Sequence, residues 1–548
     1  MRLVDLLLAE NRTSLRRLAM MATVAGGSNA ALLAVVNKAA EHIKDGKPQL
    51  ASVVLFLLAI LVYIYSQRYV LVTTSSEVER IIHRCREKLI GRLKKCELRE
   101  VEHIGRGPLF AAIGTDTRTI SQTADALVLG SQAAVVIICA CVYLATISMT
   151  SLVVSAIMLT LTARIYLYKM KAVDAALHES DDEENKLHDI VSGLLDGFKE
   201  VKLSSQRAKA ILADFVLVSR QTASYRTKAK FGLATNFIFA QCAFMVLLGT
   251  LVFVIPMLGS NYSGTVTESM TTVIFLFGPI SGLVGAVPQI TIANAAAENI
   301  YKLERVLDST IIETNGLTSS PEQKSPPVPN LRSLELRRVF FSHVSEDSHF
   351  DVGPVDLTIR AGETVFITGG NGSGKSTLIR LLTGLYPPLS GELLVNDIPV
   401  SSASAQAFRD RFCAVFSDFH LFRKLYGIEE PSPELASSLL EEMEITGKTE
   451  ITGGGFTNVD LSSGQRKRLA LIAAMLEDKP IIVLDEWAAD QDPHFRRKFY
   501  DVLLPQMKAA GKTIIAVTHD DRYFHVADRR LHMEEGQLQD LTETLSHG

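Results

Sequence analysis

Residues 369–376 read Gly369-Gly370-Asn371-Gly372-Ser373-Gly374-Lys375-Ser376 and match the pattern G-x-x-x-x-G-K-S of a phosphate-binding loop. A β-type run at 363–368 precedes this loop and a helical pattern at 377–382 follows it, as a strand–loop–helix cradle requires. The glycines allow successive backbone N–H groups to surround a β-phosphate, where the helix N-terminus adds positive potential. The sequence therefore predicts a nucleotide-binding α/β domain built around this loop.

The loop supplies candidate ligands for ATP and Mg²⁺. Lys375 is expected to reach the β- and γ-phosphates, and the Ser376 hydroxyl to ligate Mg²⁺. The nucleotide-binding residues predicted in this segment are Gly369, Asn371, Gly372, Ser373, Gly374, Lys375, Ser376 and Thr377.

Two apolar runs downstream of the loop are predicted strands that end in polar side chains. The run at 481–484 leads into Asp485, a candidate Mg²⁺ ligand, and Glu486, a candidate base for the attacking water. The run at 513–518 leads into His519, placed to contact the γ-phosphate. Each strand end alone is equally compatible with an ordinary turn. The order of the pieces along the chain favours the catalytic interpretation.

Residues 461–465 read Leu-Ser-Ser-Gly-Gln and open a helical pattern. At this point the chain resembles the ATP-binding cassette (ABC) family, whose signature L-S-G-G-Q it matches at four of five positions. The resemblance implies that each ATP lies between the phosphate loop of one subunit and the signature of the other. The residues carried over as nucleotide contacts are Ser462, Ser463, Gly464, Gln465 and, from the loop after Glu486, Asp492. With one signature per chain, a two-fold homodimer is expected.

Two positions depart from the family pattern. Ser417 follows the predicted strand at 412–416, where the family has a glutamine that contacts Mg²⁺, and Asp418 is a possible substitute. His343 stands where the family has a tyrosine that stacks on adenine; an imidazole can stack, with less area. Both departures leave the candidate base, Glu486, in place, so an active ATPase is expected.

Composition divides the chain into two halves. Of its 548 residues, 47% are hydrophobic and 21% are charged. The two kinds of residue are segregated, since long apolar runs are confined to the first 300 residues or so. A net charge of −4 argues against nucleic acid as the main partner. The cysteines lack metal-ligand spacing and predict no disulfide framework; they are Cys85, Cys96, Cys139, Cys141, Cys242 and Cys413.

Apolar stretches long enough, or nearly so, to cross a bilayer as helices occur at 18–36, 50–66, 126–147, 151–168, 233–256 and 270–292. A cleaved signal peptide is the alternative for the first, but it lacks a convincing cleavage site, so an uncleaved helix is favoured. Basic residues cluster before the first stretch and after the second, which places both termini and the nucleotide domain in the cytoplasm. A multi-pass protein of the bacterial inner membrane is expected.

Two long cytoplasmic excursions, at 67–125 and 169–232, are strongly helical in pattern. Helices that continue out of the membrane in this 2–2–2 spacing resemble the membrane domain of ABC exporters of the type I/type IV kind. The resemblance implies that each excursion turns as a coupling helix resting on a nucleotide domain. These turns are expected near 105–116 and near 222–230 or slightly upstream.

The predicted organisation is that of a half-transporter. It has an α-helical membrane domain at 1–310, a Ser/Pro-rich linker at 311–332 and an α/β ABC ATP-binding domain at 333–548. Polar residues inside the spans are candidates for a cargo cavity or for hydrogen bonds between helices; they are Asn29, Arg164, Asn236, Gln241 and Gln289. Arg164 lies near the inner end of its span, where snorkelling is the favoured interpretation.

Residues 485–493 and 197–203 resemble the bacterial cyclic-peptide exporter group, and the layout is most like the pyoverdine-precursor exporters of pseudomonads. The resemblance implies ATP-driven export of a peptide siderophore precursor from cytoplasm to periplasm, with membrane lipid and the cargo as partners; whether periplasmic partners exist is left open by the sequence. Export of another cyclic peptide and a lipid or lipopeptide flippase are the alternatives. A membrane-anchored cassette protein that remodels DNA or ribosomes is disfavoured by the six spans.

Overall fold

The computed structural model describes residues 5, 12–44, 50–258, 266–315, 331–344 and 349–542. The chain divides into two compact units: Met1–Gly91 with Arg106–Arg305, and Arg92–Gly105 with Val306–Gly548. Most of the predicted linker, at 316–330, lies outside the described residues.

The first part of the chain is helical throughout. Its helices are α1 (Arg12–Lys44), α2 (Leu50–Leu93), α3 (Leu98–Ile104), α4 (Arg106–Phe110), α5 (Thr117–Ile147), α6 (Met149–Asp196), α7 (Phe198–Leu203), α8 (Ser205–Gly249), α9 (Val266–Phe275) and α10 (Phe277–Asn315). π-Helical turns at Ala111–Asp116 and Thr250–Val254 extend α5 and α8, and a 3₁₀ turn follows at Ile255–Leu258. All of these belong to the first unit except α3 and the last residues of α2 and α10.

Six helical segments within the described residues are long and apolar enough to span a membrane, with mean hydropathies from 1.3 to 2.4. They are Met20–Ala39, Val53–Leu93, Arg106–Ile147, Met149–Asp196, Ser205–Val254 and Glu268–Ser309. Large apolar side chains on them, such as Leu61 and Ile157, are more than half exposed. A helix satisfies its own backbone hydrogen bonds, so lipid can cover these side chains without leaving polar groups unpaired. The six predicted spans are confirmed.

Several of these helices are longer than a bilayer. Helices α2, α6 and α8 contain 44, 48 and 45 residues, whereas about 20 suffice for a span. They therefore continue well beyond the membrane, in agreement with the two helical excursions that the sequence predicts.

The predicted turns of these excursions are misplaced. Residues 222–230 lie inside α8, and the chain instead turns around α7, where Gly197 follows α6 and the Ser204 hydroxyl caps the start of α8. The stretch from 211 to 231 contains no glycine or proline, so nothing in it ends a helix. The first turn contains α3, which belongs to the second unit, and reaches Gly105, where φ is 74°, so the predicted range 105–116 begins only at its end.

Helices α6 and α8 pack closely through small residues. Met170, Val173, Ala176 and Ala229 form a buried cluster, and a Cβ on Gly232 would lie 2.7 Å from Cγ2 of Val173. Glycine at this position thus permits the close approach of the two helices.

The polar residues predicted within the spans differ in environment. Asn236 is 3% exposed, and its amide nitrogen makes no hydrogen bond within the part of the chain that the structure describes. Asn29 and Gln241 are half-buried, whereas Arg164 and Gln289 are exposed. Burial therefore favours Asn236 as an interior polar group of the bundle.

The second unit is an α/β domain with two main sheets. Its strands are β1 (Ser333–Val344), β2 (His349–Arg360), β3 (Thr364–Gly369), β4 (Ser390–Val395), β5 (Ile398–Pro399), β6 (Phe412–Val415), β7 (Ile451–Thr452), β8 (Gly455–Phe456), β9 (Ile481–Asp485), β10 (Thr513–Val517), β11 (Arg529–Glu534) and β12 (Gln537–Asp540). Its helices are α11 (Lys375–Leu382), α12 (Ala405–Arg409), α13 (Pro433–Glu442), α14 (Ser463–Leu476), α15 (Pro493–Lys498) and α16 (Leu504–Ala509).

The larger sheet has the order β12-β11-β3-β10-β9-β6, in which β11, β3, β10, β9 and β6 are parallel. The smaller sheet, β2-β1-β4-β5, is antiparallel. Every residue of β3, β9 and β10 is buried. Alternate side chains of these strands enter two different cores, one on each face of the sheet. The carboxyl ends of the parallel strands meet at one edge, where ligands bind in sheets of this kind.

We expect Gly232→Val to destabilise the membrane unit by about 1–3 kcal/mol, because the added methyl groups must displace Val173 or separate α6 from α8. The matched control is Gly193→Val on α6, where a Cβ meets nothing within 4 Å. Loss of the monodisperse size-exclusion peak after stepwise heating measures the effect. Equal losses in both variants would show that valine acts through helix propensity alone.

Candidate nucleotide site

The phosphate loop connects β3 to α11 and requires its glycines. Gly369, Gly372 and Gly374 have φ values of 142°, 78° and 104°, a region that residues with a Cβ rarely adopt. A Cβ on Gly369 would lie 2.1 Å from the carbonyl oxygen of Met533. The loop therefore requires glycine both for its positive φ values and for its close approach to the end of β11.

Lys375 and Ser376, at the start of α11, face the centre of the site. The Lys375 ammonium donates to the carbonyl oxygens of Gly369 (3.0 Å) and Gly370 (2.7 Å), so it lies within the curl of the loop. The Ser376 hydroxyl lies 3.5 Å from Oδ2 of Asp485. A hydroxyl and a carboxylate oxygen in this arrangement are suitable ligands for Mg²⁺, which binds proteins through few side chains and completes its shell with phosphate and water.

Asp485 ends β9 and is joined there by Ser417. The Ser417 hydroxyl donates to Oδ2 of Asp485 at 3.1 Å, and its backbone N–H points to the same oxygen at 3.5 Å. Burial raises the pKa of Asp485, and the hydrogen bonds from Ser417 oppose this rise. Ser417 therefore lies at the predicted edge, in contact with the carboxylate. Its neighbour Asp418 is exposed and faces Arg380 at 3.9 Å.

Glu486 and His519 extend from neighbouring strands and meet. Val517 pairs with Asp485 in the register of β10 and β9, so the residues that follow each strand are adjacent. Nε2 of His519 lies 3.3 Å from Oε1 of Glu486, and both side chains are partly exposed. The pair can align a water molecule at the end of a triphosphate.

The signature begins α14 and contacts the segment that follows Glu486. The Ser462 hydroxyl accepts from the backbone N–H of Gln465 and so caps the helix. A Cβ on Gly464 would lie 2.6 Å from the carbonyl oxygen of Asp490, and the Gln491 amide donates to the Gly464 carbonyl at 3.0 Å. Within this chain the signature is therefore tied to residues 490–491.

Asp492 serves as a helix cap. Its Oδ1 accepts from the backbone N–H of Phe495 at 2.9 Å and its Oδ2 from Arg468 at 2.7 Å. These contacts, the Phe495 N–H first among them, lower the pKa of Asp492. The structure thus gives this predicted nucleotide contact a structural function within its own chain.

His343, at the end of β1, lies against the start of α11. Its Nε2 is 3.3 Å from the Thr377 hydroxyl, and its ring packs edge-on against Phe341 and Tyr386. Burial, then the charges of Arg380 and Arg99, lower the pKa of His343. The lowered pKa favours the neutral imidazole.

Sequence reasoning missed an aromatic residue and a cavity beside the loop. Phe350 pairs with His343 across β1 and β2, and its ring lies 3.4 Å from where a Cβ on Gly374 would be. A cavity of about 570 Å³ is lined by Phe350, by Gly370–Ser373 of the loop and by the end of β11. The β-type alternation of residues 349–360 could have revealed Phe350 as a neighbour of His343.

The turn of the first excursion docks beside this aromatic cluster. Glu97 pairs with Arg409 at 3.0 Å, the Tyr386 hydroxyl donates to Glu102 at 2.6 Å, and the Arg99 guanidinium lies 5.6 Å from the centre of the Phe341 ring. Burial, and then the bond to Glu102, raise the pKa of Tyr386 to about 12. Helix α3 is thus attached next to His343 by charge and by hydrogen bonds.

A phosphate loop, the candidate metal ligand Asp485 and the adjacent pair Glu486–His519 share one sheet edge, in a chain whose described residues include six membrane-length helices. This combination defines a membrane protein driven by nucleotide hydrolysis. Comparison with known proteins makes the class specific, since the family model described as "ABC transporter" matches residues 352–489.

One relative, the ATP-binding protein SyrD of Pseudomonas syringae pv. syringae, is 34% identical over 468 residues, covering 83% of this chain and 82% of SyrD. The chain therefore belongs to the ABC transporter family, as a half-transporter of the exporter type. It is an ATP-hydrolysing transporter and a multi-pass inner-membrane protein with a cytoplasmic nucleotide-binding domain.

Two further similarities concern parts of the chain or the fold alone. An ATP-dependent lipid A-core flippase of Alkalilimnicola ehrlichii is 28% identical over 298 residues, covering 52% of this chain and 48% of the flippase. The solved structure of a bacterial Atm1-family ABC exporter with ATP bound has a TM-score of 0.79 at 18% identity, covering 98% of this chain and 96% of that one. The predicted fold class is confirmed.

Replacing His343 by alanine should weaken ATP binding by about fivefold or more, because stacking of a base on an aromatic ring contributes about 1–3 kcal/mol. Calorimetric titration of the full-length protein with ATP measures this. His343→Tyr should retain or strengthen binding. Inorganic tripolyphosphate, which lacks a base, should bind the alanine variant unchanged; an equal loss for tripolyphosphate would show that His343 acts on the loop through Thr377 instead.

Proposed function

We propose that the protein is a homodimeric ABC exporter that uses ATP to move a peptide siderophore precursor, of the pyoverdine type, from cytoplasm to periplasm. The observation that best supports ATP-driven action is the shared sheet edge. The residues that converge there are Lys375, Ser376, Asp485, Glu486 and His519. Within the described residues the signature contacts residues 490–491, while Ser462 and Ser463 are exposed and therefore available to a second copy.

A homodimer is proposed because one chain alone does not complete the nucleotide site of the family. Each chain carries one phosphate loop and one signature, and a closed pair related by two-fold symmetry supplies two complete sites from identical parts. In such a pair Ser462 and Gly464 of one chain would contact the γ-phosphate held by Lys375 of the other. Closure would be favoured by ATP and reversed by hydrolysis, because ATP binds the closed state more tightly.

Hydrolysis in this proposal divides the work among the side chains at the sheet edge. The loop amides and Lys375 bind the β- and γ-phosphates, while Ser376 and Asp485 would hold Mg²⁺, which neutralises charge on the triphosphate. Ser417 keeps the Asp485 carboxylate oriented through its 3.1 Å hydrogen bond. Glu486 accepts a proton from the attacking water, and His519 orients that water and contacts the γ-phosphate.

The peptide cargo is supported by resemblance at residues 197–203 and 485–493 and by the similarity to SyrD over most of the chain. In the structure the first of these segments forms α7, whose Phe198 and Leu203 are exposed. A lipid or lipopeptide flippase is the second candidate, favoured by the partial match to a lipid A-core flippase.

Glu486→Gln should bind ATP with unchanged affinity while hydrolysis falls by about 10²–10⁴-fold, because the amide cannot accept the proton of the attacking water. Phosphate release and ATP binding are measured on the same preparation. Glu450→Gln, at an exposed position outside the site, controls for the loss of a carboxylate and should behave as wild type. Near-normal turnover of Glu486→Gln would exclude Glu486 as the base.

In proteoliposomes with the nucleotide domain facing outward, ATP should drive accumulation of a pyoverdine-type precursor peptide in the lumen. The Glu486→Gln protein should not accumulate it. A fluorescent lipid A analogue in the same vesicles tests the flippase alternative through its transfer between leaflets. ATP-dependent movement of lipid without movement of peptide would contradict the peptide assignment.

A further inference from the structure

The catalytic carboxylate is attached to an unfavourable backbone. Glu486 has φ 50° and ψ 33°, in the left-handed region that residues with a Cβ rarely occupy. Such a conformation persists only where the surrounding structure holds it. The groups that contact the Glu486 main chain therefore determine where its carboxylate points.

Two of these contacts are ordinary backbone hydrogen bonds. The Glu486 N–H donates to the carbonyl oxygen of Val517 at 3.2 Å, and the Glu486 carbonyl accepts from the N–H of Ala489 at 3.3 Å. Both are long for N–H···O bonds, whose usual separation is about 2.9–3.0 Å. These two bonds therefore stabilise the strained backbone of Glu486 only weakly.

The third contact is shorter and charged. The ammonium of Lys467, on the signature helix α14, donates to the Glu486 carbonyl at 2.8 Å. Hydrogen bonds from a charged donor are about twice as strong as neutral ones. The Lys467 side chain is only 6% exposed, and its second recorded partner is the Asp490 carboxylate at 3.0 Å. Burial of an ammonium requires such partners, and the Glu486 carbonyl and the half-exposed Asp490 carboxylate supply them.

Trp487, the residue after Glu486, makes a second hydrogen bond, in which it is the donor to Lys467. Nε1 of Trp487, which is 1% exposed, donates to the Lys467 carbonyl at 2.8 Å. Lys467 and the pair Glu486–Trp487 thus hold one another in both directions. The adjacent Arg468 is engaged elsewhere, with Gln491 and Asp492.

We propose that Lys467 is a positioning residue for ATP hydrolysis: its buried ammonium keeps Glu486 in the left-handed conformation that directs the carboxylate towards His519. The inference rests on the proposed function of Glu486 as the base. It assigns to Lys467 an effect on turnover without any contact with ATP.

The test compares Lys467→Met with Lys467→Gln in the full-length protein in lipid nanodiscs. Methionine keeps the volume and removes both polar contacts. Glutamine restores an N–H donor of nearly sufficient length. The matched control is Lys512→Met, which removes another Lys–Asp pair (2.6 Å to Asp478) beside the opposite end of β10.

The proposal predicts that Lys467→Met lowers kcat by about 10- to 100-fold, as loss of a charged hydrogen bond allows, with the Kd for ATP unchanged. Lys467→Gln should recover part of the lost kcat, and Lys512→Met should retain all of it. A Lys467→Met protein with normal kcat overturns the proposal. So does one whose ATP affinity and Tm fall together with kcat without recovery in Lys467→Gln, because that pattern indicates a merely structural residue.

Glu486→Gln, assayed in parallel, separates this inference from the function on which it rests. If Glu486→Gln retains turnover, the base assignment fails and the positioning proposal fails with it. If Glu486→Gln is inactive while Lys467→Met is normal, only the positioning proposal is overturned. Inactive Glu486→Gln together with slow Lys467→Met at full ATP affinity supports both.

Discussion

The parallel register of β3, β10 and β9 is the constraint on which the nucleotide site depends. Val517 of β10 pairs with Ile367 of β3 on one side and with Asp485 of β9 on the other. These pairings bring the ends of all three strands to one level. The phosphate loop, the candidate metal ligand Asp485 and the pair Glu486–His519 lie at or directly after those ends. A slip by one residue would turn buried side chains to the wrong face and separate the groups.

The same edge is connected to the signature helix. Gly464 admits the backbone of Asp490, Gln491 donates to Gly464, and Lys467 reaches the carbonyl of Glu486. In the proposed dimer the signature contacts ATP held by the other subunit, whereas Glu486 acts on ATP held by its own. In that dimer Lys467 would therefore link the signature, which contacts one nucleotide, to Glu486, which acts on the other.

Much of this could be predicted from sequence because the signals are local. The loop glycines, the apolar strands that end at Asp485 and His519, and the apolar length of each span depend on nearby residues alone. Ser417 follows a predicted strand, but its contact with Asp485, 68 positions away, results from the pairing of β6 with β9. The turns of the excursions were not: Gly197 and Ser204 end and restart a helix, whereas the uninterrupted pattern at 222–230 could not mark a turn.

The missed features depend on distant parts of the chain. In sequence Lys467 is the middle residue of the basic run Arg466-Lys467-Arg468, a pattern typical of a solvated helix face. Its burial follows from the loop after β9 folding over α14. The docking of Glu97 and Glu102 on Arg409 and Tyr386 joins residues about three hundred positions apart, and no local pattern indicates it.

A cryo-EM reconstruction of the full-length protein with a non-hydrolysable ATP analogue and Mg²⁺ tests the central claim most directly. The account predicts two copies related by a two-fold axis, with two nucleotides. Each nucleotide should be bound by Lys375 and Asp485 of one chain and by Ser462 of the other. A single chain, or a pair in which each nucleotide contacts one subunit only, would contradict the shared site and the exporter cycle built upon it.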